Sequence, residues 1–348
     1  MNGPAATDER PDRHPTVWSG FLASHGAWPA TIERLSGGAN NAVYRVEASA
    51  GVFLLKHYFA HPDDQRDRFG TEVAFSQFAW EHGVRSLPQL LASCRDERLA
   101  LFEFLTGRPV FSEQIDADTI RQALHFCRQL QDARTEPGAA ALPWAAESCF
   151  SIRQHLECVD RRLSVLENIK PESALDRQAL SFVQGELRRR WTKVRRQVRD
   201  RCSAIGISME NEIPTSDRIL SPSDFGFHNA LRDEAGYVRF FDFEYAGWDD
   251  PAKLVCDFFW QVETPVSRKF LTAFAVGITE GLPAPQPIVQ RIHLLLPVYQ
   301  VKWCCIVLNE FLPWARDRRR FSSADQRPGR QPALQLQKAR NLLDERAR

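Results

Sequence analysis

The apolar residues of this chain change their period near Gly107, and that change limits the folds open to it. Before Gly107 they come in short runs. Val43 to Val46 and Val52 to Tyr58, joined by Ala-Ser-Ala-Gly, predict a β-hairpin. "LPQLLASC" and "RLALFEFL", parted by Arg95-Asp96-Glu97, predict two more strands. One helix interrupts them: "DRFGTEVAFSQFAWEHG" sets Phe69, Val73 and Trp80 at helical spacing and stops at His82-Gly83. After Gly107 the period is helical. Ile152, Leu156, Val159, Leu163 and Leu166 form one stripe, and Val183, Leu187, Trp191, Val194 and Val198 another. "NIKPESALD" between them reads as the turn of an αα-hairpin. A strand–loop–strand unit around 219–243 breaks the helical part, which resumes near 252. The reading is an α+β chain: a tail over 1–15, a small β-rich lobe over 16–106, a larger helical lobe over 107–315 and a charged segment over 316–348. A cleft between two such lobes is a common place for a ligand.

Charge and cysteine usage narrow the setting. With 45 basic and 44 acidic side chains the chain is close to neutral, which argues against a surface built for nucleic acid. No stretch approaches the roughly 18 uncharged apolar residues of a membrane span. The opening "MNGPAATDERPDRHPT" is polar, has no apolar signal core and reads as disordered. The eight cysteines form no CxxC pair or metal-finger spacing, so they read as buried thiols of a cytoplasmic protein. "RRRWTKVRRQVRDR" (188–201) holds eight basic residues against one acidic. A solvated helix face explains it, and a docking face for an anionic partner is the sharper alternative.

"SPSDFGFHN" (221–229) crowds short polar groups behind the apolar Ile219-Leu220. A solvated turn is the plain reading. Its neighbours supply another, because phosphoryl transfer from a nucleotide needs a loop over the phosphates, a cation, oxygens for Mg²⁺ and a base at the attacking hydroxyl. Asp224 and Asn229 stand as D-x-x-x-x-N, a carboxylate for the substrate proton and an amide oxygen for a metal. Asp242 ends the apolar run "YVRFF", well placed to chelate Mg²⁺. Lys56 lies in the strand after the glycine turn "SGGANN", and Glu72 on the following helix could orient it by an ion pair.

These segments resemble the aminoglycoside phosphotransferase and choline kinase superfamily, whose fold is protein-kinase-like, over about Leu35 to Phe259. The family's catalytic loop reads HGDxxxxN where this chain has "PSDFGFHN", and its metal segment reads DFEYAG or DWEYAG where this chain has "DFEYAGWDDPAKLVCDF". The resemblance implies a bilobal protein-kinase-like fold and an ATP- and Mg²⁺-dependent transfer to a hydroxyl of a small molecule, another nucleoside triphosphate remaining open as donor. It implies Asp224 as catalytic base, Asn229 and Asp242 as Mg²⁺ ligands, Lys56 as the phosphate contact and Glu72 as its partner. Gly37, Gly38 and Asn41 of "LSGGANNAVYRV" would lie closest to the phosphates, and the backbone from Glu103 to Leu105 would meet the adenine. Asp257 matches a carboxylate that supports the loop. Pro222-Ser223 replaces the family's His-Gly, which motivates the alternative of a nucleotide-binding pseudokinase acting through partners. "DFEYAG" leans toward amino alcohols such as choline or ethanolamine, with sugars and aminoglycosides open. Trp248, Trp260, Trp303 and Tyr245 could cage a cationic amine. Glu244 is open between a place near the metal and a structural one, and His228 between a structural and a substrate-side role.

Overall fold

A computed structural model describes residues 15–35, 41–59, 66–313 and 331–344. These gather into two compact units. The first holds the described residues before 66 together with Leu90–Phe104; the second holds Arg66–Gln89 and the described residues from Leu105 onward.

In chain order the elements are α1 (Pro15–Ser24), β1 (Ala30–Leu35), β2 (Ala42–Ala48), β3 (Gly51–His57), α2 (Arg68–Glu81), β4 (Leu90–Cys94), β5 (Leu99–Glu103), β6 (Arg108–Pro109), α3 (Ala117–Ala133) and α4 (Ile152–Leu166). There follow α5 (Ala174–Phe182), a π-helical turn (Val183–Leu187), α6 (Arg188–Ala204), β7 (Ile219–Ser221), β8 (Ala230–Arg232), β9 (Val238–Phe240), β10 (Gly247–Asp249), α7 (Pro251–Trp260), α8 (Leu271–Thr279), α9 (Pro285–Leu308) and α10 (Gln331–Asp344).

The first unit is a five-stranded antiparallel sheet in the order β1-β2-β3-β5-β4. Period-two alternation buries Ala42, Tyr44 and Val46 of β2 on one face. Leu55 and Leu101 share Tyr44's register, and α1 covers the face with Trp18 and Leu22. The Trp18 and Tyr44 rings meet edge to face at 5.0 Å. Helix α1 begins at Pro15, where the sequence reading ended a disordered tail. Its described face carries Trp18, Phe21 and Leu22 at helical spacing against the sheet.

Helices dominate the second unit. Local chemistry starts them: Asp116 caps α3 by accepting from the Thr119 amide, Ser151 and Gln154 form a capping box on α4, and Asp250 caps α7 ahead of Pro251. The stripes on α4 and α6 are buried as their spacing predicts. Helix α9 packs against α4, α6, α7, α8 and α10. With its 3-10 extension it is the one span among the described residues long and apolar enough to cross a membrane, and 67% of that window is buried inside the protein.

The continuous division at residue 106 read from the sequence differs from the grouping observed at residues 66–89. Helix α2 is tied within the second unit: Arg68 forms a buried ion pair with Glu244 at 3.0 Å, and Glu72 accepts a hydrogen bond from the Phe243 amide at 3.1 Å.

Candidate active site

Two short ladders build the polar loop's frame. Strand β7 pairs with β10, setting Ser221 opposite Gly247, and β8 pairs with β9, setting Ala230 opposite Phe240. The second register carries Asn229 to the start of β8 and Asp242 just past the end of β9, and the Phe241 amide donates to the Asn229 carbonyl at 3.0 Å. Asn229 and Asp242 therefore stand at the same end of one ladder. Gly247 lets the 143–145 segment lie close against β10: at φ 148°, a Cβ there would fall 2.2 Å from the Pro143 carbonyl oxygen.

Asp224 is reached through a chain of local bonds. The Ser223 amide donates to Ser221 Oγ at 3.0 Å, and the Phe225 amide donates to the Ser223 carbonyl at 2.6 Å. Asn229 Nδ2 donates to the Asp224 carbonyl at 2.9 Å, so Oδ1 is the Asn229 atom left to face a cation. Ser223 and Asp242 both have left-handed backbones, with φ 64° and 71°. Asp accepts that region more readily than most residues, and Ser223 stands where the resemblance expected glycine.

The Asp224 carboxylate is partly exposed, with His228 Nε2 3.4 Å from its Oδ1. Burial works against its charge, but His228, Lys253 and Asn229 together hold it below the ordinary carboxylate value. Burial likewise opposes the imidazolium, while Asp224 raises the His228 pKa, helped by Glu263 and Asp242. The ring lies over Gly226, where a Cβ would come within 2.7 Å of Nδ1. His228 is thus a neighbour of the Asp224 carboxylate.

The other residues singled out divide between the units. Lys56 is buried in β3, opposite Val43 and Ala100 and therefore on the face away from α1, with Nζ 5.4 Å from the Tyr58 ring centre. Glu72, its expected partner, lies in the other unit. Asn41 is buried and its Oδ1 accepts from the Phe59 amide at 3.3 Å. Gly37 and Gly38 lie outside the described residues. Glu103 closes β5 opposite Phe53, and Leu105 begins the second unit's return.

The aromatic cage does not form. Trp260 and Trp303 are buried and donate their indole N–H groups to the Leu296 carbonyl and to Asp257, and Trp248 donates to the Ala139 carbonyl. The Arg268 guanidinium already covers Trp260 at 4.0 Å, and Arg66 and Arg68 sit over Tyr245. Glu244 is fully buried and pairs with Arg68 at 3.0 Å. The basic run forms α6. Arg188 pairs with Glu167, Arg195 with Asp160 and Arg190 with Gln300, while Arg189, Lys193 and Arg196 are exposed.

Sequence reasoning missed Lys253. It is buried in α7 and donates to Asp249 at 2.8 Å and to Ser223 Oγ at 3.1 Å, with Asp257 at 3.5 Å. A single lysine inside the apolar run of α7, with Asp at i−4 and i+4, was the available signal.

A five-stranded antiparallel unit followed by a helical unit with a polar loop between short strands defines a protein-kinase-like fold. The chain belongs to the phosphotransferase enzyme family, whose model matches residues 31–288. Solved structures of this fold include a choline/ethanolamine kinase family protein from Mesorhizobium loti, 15% identical over 94% of this chain and 93% of that one, with a TM-score of 0.57. A spectinomycin phosphotransferase in complex with AMP reaches a TM-score of 0.62 at 11% identity, over 95% and 98% of the two chains. Choline kinase from Streptococcus pneumoniae gives 0.54 at 13% identity, over 94% and 97%. No curated protein matches the chain by sequence.

Proposed function

We propose that the protein transfers the terminal phosphoryl group of ATP to a hydroxyl of a small molecule, in a Mg²⁺-dependent reaction. The observation that carries this reading is the convergence of Asp224, Asn229 and Asp242 through the β8–β9 register and the Asn229–Asp224 bond. Asn229 Oδ1 and the Asp242 carboxylate are hard oxygen donors, the kind Mg²⁺ takes together with phosphate oxygens rather than from an all-protein cage. A cation bound there would neutralise charge on the β- and γ-phosphates.

Asp224 orients the acceptor hydroxyl and receives its proton. Its lowered pKa suits this role, because a loose phosphoryl transition state asks for positioning more than for a strong base. Lys56 serves the α- and β-phosphates, as do Gly37, Gly38 and Asn41. Glu72, which accepts from the Phe243 amide, steadies the backbone beside Asp242, and the Glu103 to Leu105 backbone meets the nucleotide base.

The family and the named neighbours support a small-molecule acceptor, and amino alcohols, aminoglycosides and sugars are the classes to try. The burial of Trp260 and Trp303 and the Arg268 guanidinium over Trp260 argue against these residues caging a quaternary ammonium. The test is nucleotide consumption against a panel of those three classes, with wild type, Asp224→Ala and Asp242→Ala. At least a thousandfold loss in both variants is expected; Asp242→Ala at wild-type rate would refute the metal site. A nucleotide-binding pseudokinase would instead bind ATP and consume none with any acceptor.

A further inference from the structure

We propose that Lys253 is a positioning residue of the catalytic loop, which through the Ser223 hydroxyl fixes the direction of the Asp224 carboxylate. The inference rests on the reading of Asp224 as the reacting carboxylate.

The geometry is specific. Lys253 is 1% exposed, so its ammonium has given up water and needs protein partners. It has two carboxylates beside it, Asp249 at the end of β10 at 2.8 Å and Asp257 one turn on along α7 at 3.5 Å. Its neutral partner is Ser223 Oγ at 3.1 Å, on the residue directly before Asp224. Asp257 is itself anchored to α9, accepting from Lys302 Nζ at 3.0 and 3.1 Å and from Trp303 Nε1 at 2.9 Å. The loop is thus referenced through one ammonium to the α7–α9 helix pair.

Ser223 is where such a reference matters. Its φ of 64° is a conformation a serine adopts at a cost, so the loop has an incentive to relax to an extended backbone. Relaxation there would rotate the following peptide and swing the Asp224 side chain. Three bonds at Ser223 oppose it: its amide donates to Ser221 Oγ, its carbonyl accepts from the Phe225 amide, and its hydroxyl, the one side-chain handle, is held by Lys253. Glycine at this position would adopt the same φ freely but could not be held by its side chain. The serine exchanges backbone ease for a handle, and Lys253 grips it.

That exchange makes positioning separable from stability. Ser223→Gly relieves the backbone and removes the handle, so its melting temperature should equal or exceed that of wild type. Affinity for MgADP, read by calorimetry, should stay within twofold. With ATP and the acceptor found in the panel, kcat should fall at least tenfold with KM for ATP unchanged. Amide exchange of residues 223–226 should quicken about tenfold. Lys253→Met should reproduce the kcat loss and faster exchange where it folds. Asp224→Ala, run alongside, separates the two ideas: full activity in Asp224→Ala refutes the catalytic reading and the positioning role with it. An inactive Asp224→Ala beside a Ser223→Gly of wild-type kcat and wild-type exchange refutes the Lys253 tie alone.

Discussion

Helix α7 divides two interiors that hold the same loop by different physics. On one side lies an aromatic stack: Phe225 and Phe227 of the loop meet Phe258 and Phe240, with Phe126 beneath and Phe274 lying flat on Phe258 at 4.3 Å. On the other lies a charged lattice in which Lys253, Asp249, Asp257 and Lys302 interlock, and beside it His155, Asp250 and Arg291. Apolar packing is non-directional and scales with the area removed from water. A buried ion pair returns little net stability, because its desolvation offsets its attraction, but it is directional. The aromatic side should therefore set how firmly the loop's platform folds, and the charged side where Asp224 points.

The largest expected effect lies on the aromatic side. Phe274→Ala opens a cavity one ring removed from the loop and should cost about 3–5 kcal/mol of unfolding free energy. The kcat of the remaining folded enzyme should stay within threefold of wild type, as read by chemical denaturation and by rates on active-site-titrated protein. A tenfold kcat loss in Phe274→Ala would break the division of labour.

A smaller effect comes from pH. His155 is buried with its ring nitrogens 3.1 Å from Asp250 Oδ2 and 2.9 Å from the Tyr299 hydroxyl, and Arg291 and Lys302 also bear on it. Burial pushes its pKa down to about 4 despite Asp250. In the folded state the ring stays neutral until about pH 4, whereas the unfolded chain takes up the proton below about 6.5. The stability it supports is complete above pH 6.5 and is lost as pH falls toward 4, by roughly 2–3 kcal/mol. Asp249, which burial raises to about 6 against the pull of Lys253, works in the opposite sense over part of that window. The His155 share is the difference between wild type and His155→Asn in denaturation midpoints from pH 7 to 4.5, and parallel curves would remove it.

How much of this was legible in the sequence follows from how local each feature is. Asp224, Asn229 and Asp242 lie within one strand–loop–strand unit, so spacing alone could nominate them. The stripes on α4 and α6 were legible because a buried face repeats at 3.6 residues. Glu72 could be nominated, but its bond to the Phe243 amide spans 171 positions and depends on where α2 settles. The tryptophans of α7 and α9 read as a cage by composition and proved to be core, because only the fold shows where each indole N–H goes. Lys253 was hidden for the same reason: its meaning lies in Ser223, thirty residues earlier.

The charged side can also be replaced outright. Lys253→Met with Asp249→Leu removes both charges at once and leaves no lone buried ion between them, so stability should stay within about 2 kcal/mol of wild type or rise. The same enzyme should lose at least tenfold in kcat, about 1.4 kcal/mol of transition-state stabilisation. Stability retained with activity lost is the signature of a directional contact. Stability and activity lost together would make the lattice a core like the aromatic one.

The smallest effect belongs to charges that neither interior uses. On α6, Trp191, Val194, Val198 and Cys202 face inward and Arg188, Arg190 and Arg195 are tied to neighbours; of the exposed basic residues that remain, with Arg199 and Arg201 nearer the helix end, Arg189, Lys193 and Arg196 stand at i, i+4 and i+7 as a row. Exposed charges in water are worth about 0–1 kcal/mol each to folding. Reversing all three to Glu should move the midpoint of denaturation by less than about 1 kcal/mol and kcat by less than twofold. If this row serves an anionic partner, wild type will be held on a polyanionic resin at low salt and released as salt rises, and the reversed variant will pass through. Equal elution of the two proteins would reduce the row to a solvated face. A catalytic defect in the reversed variant would mean that surface charge far from α7 reaches the loop, against the separation of the two interiors.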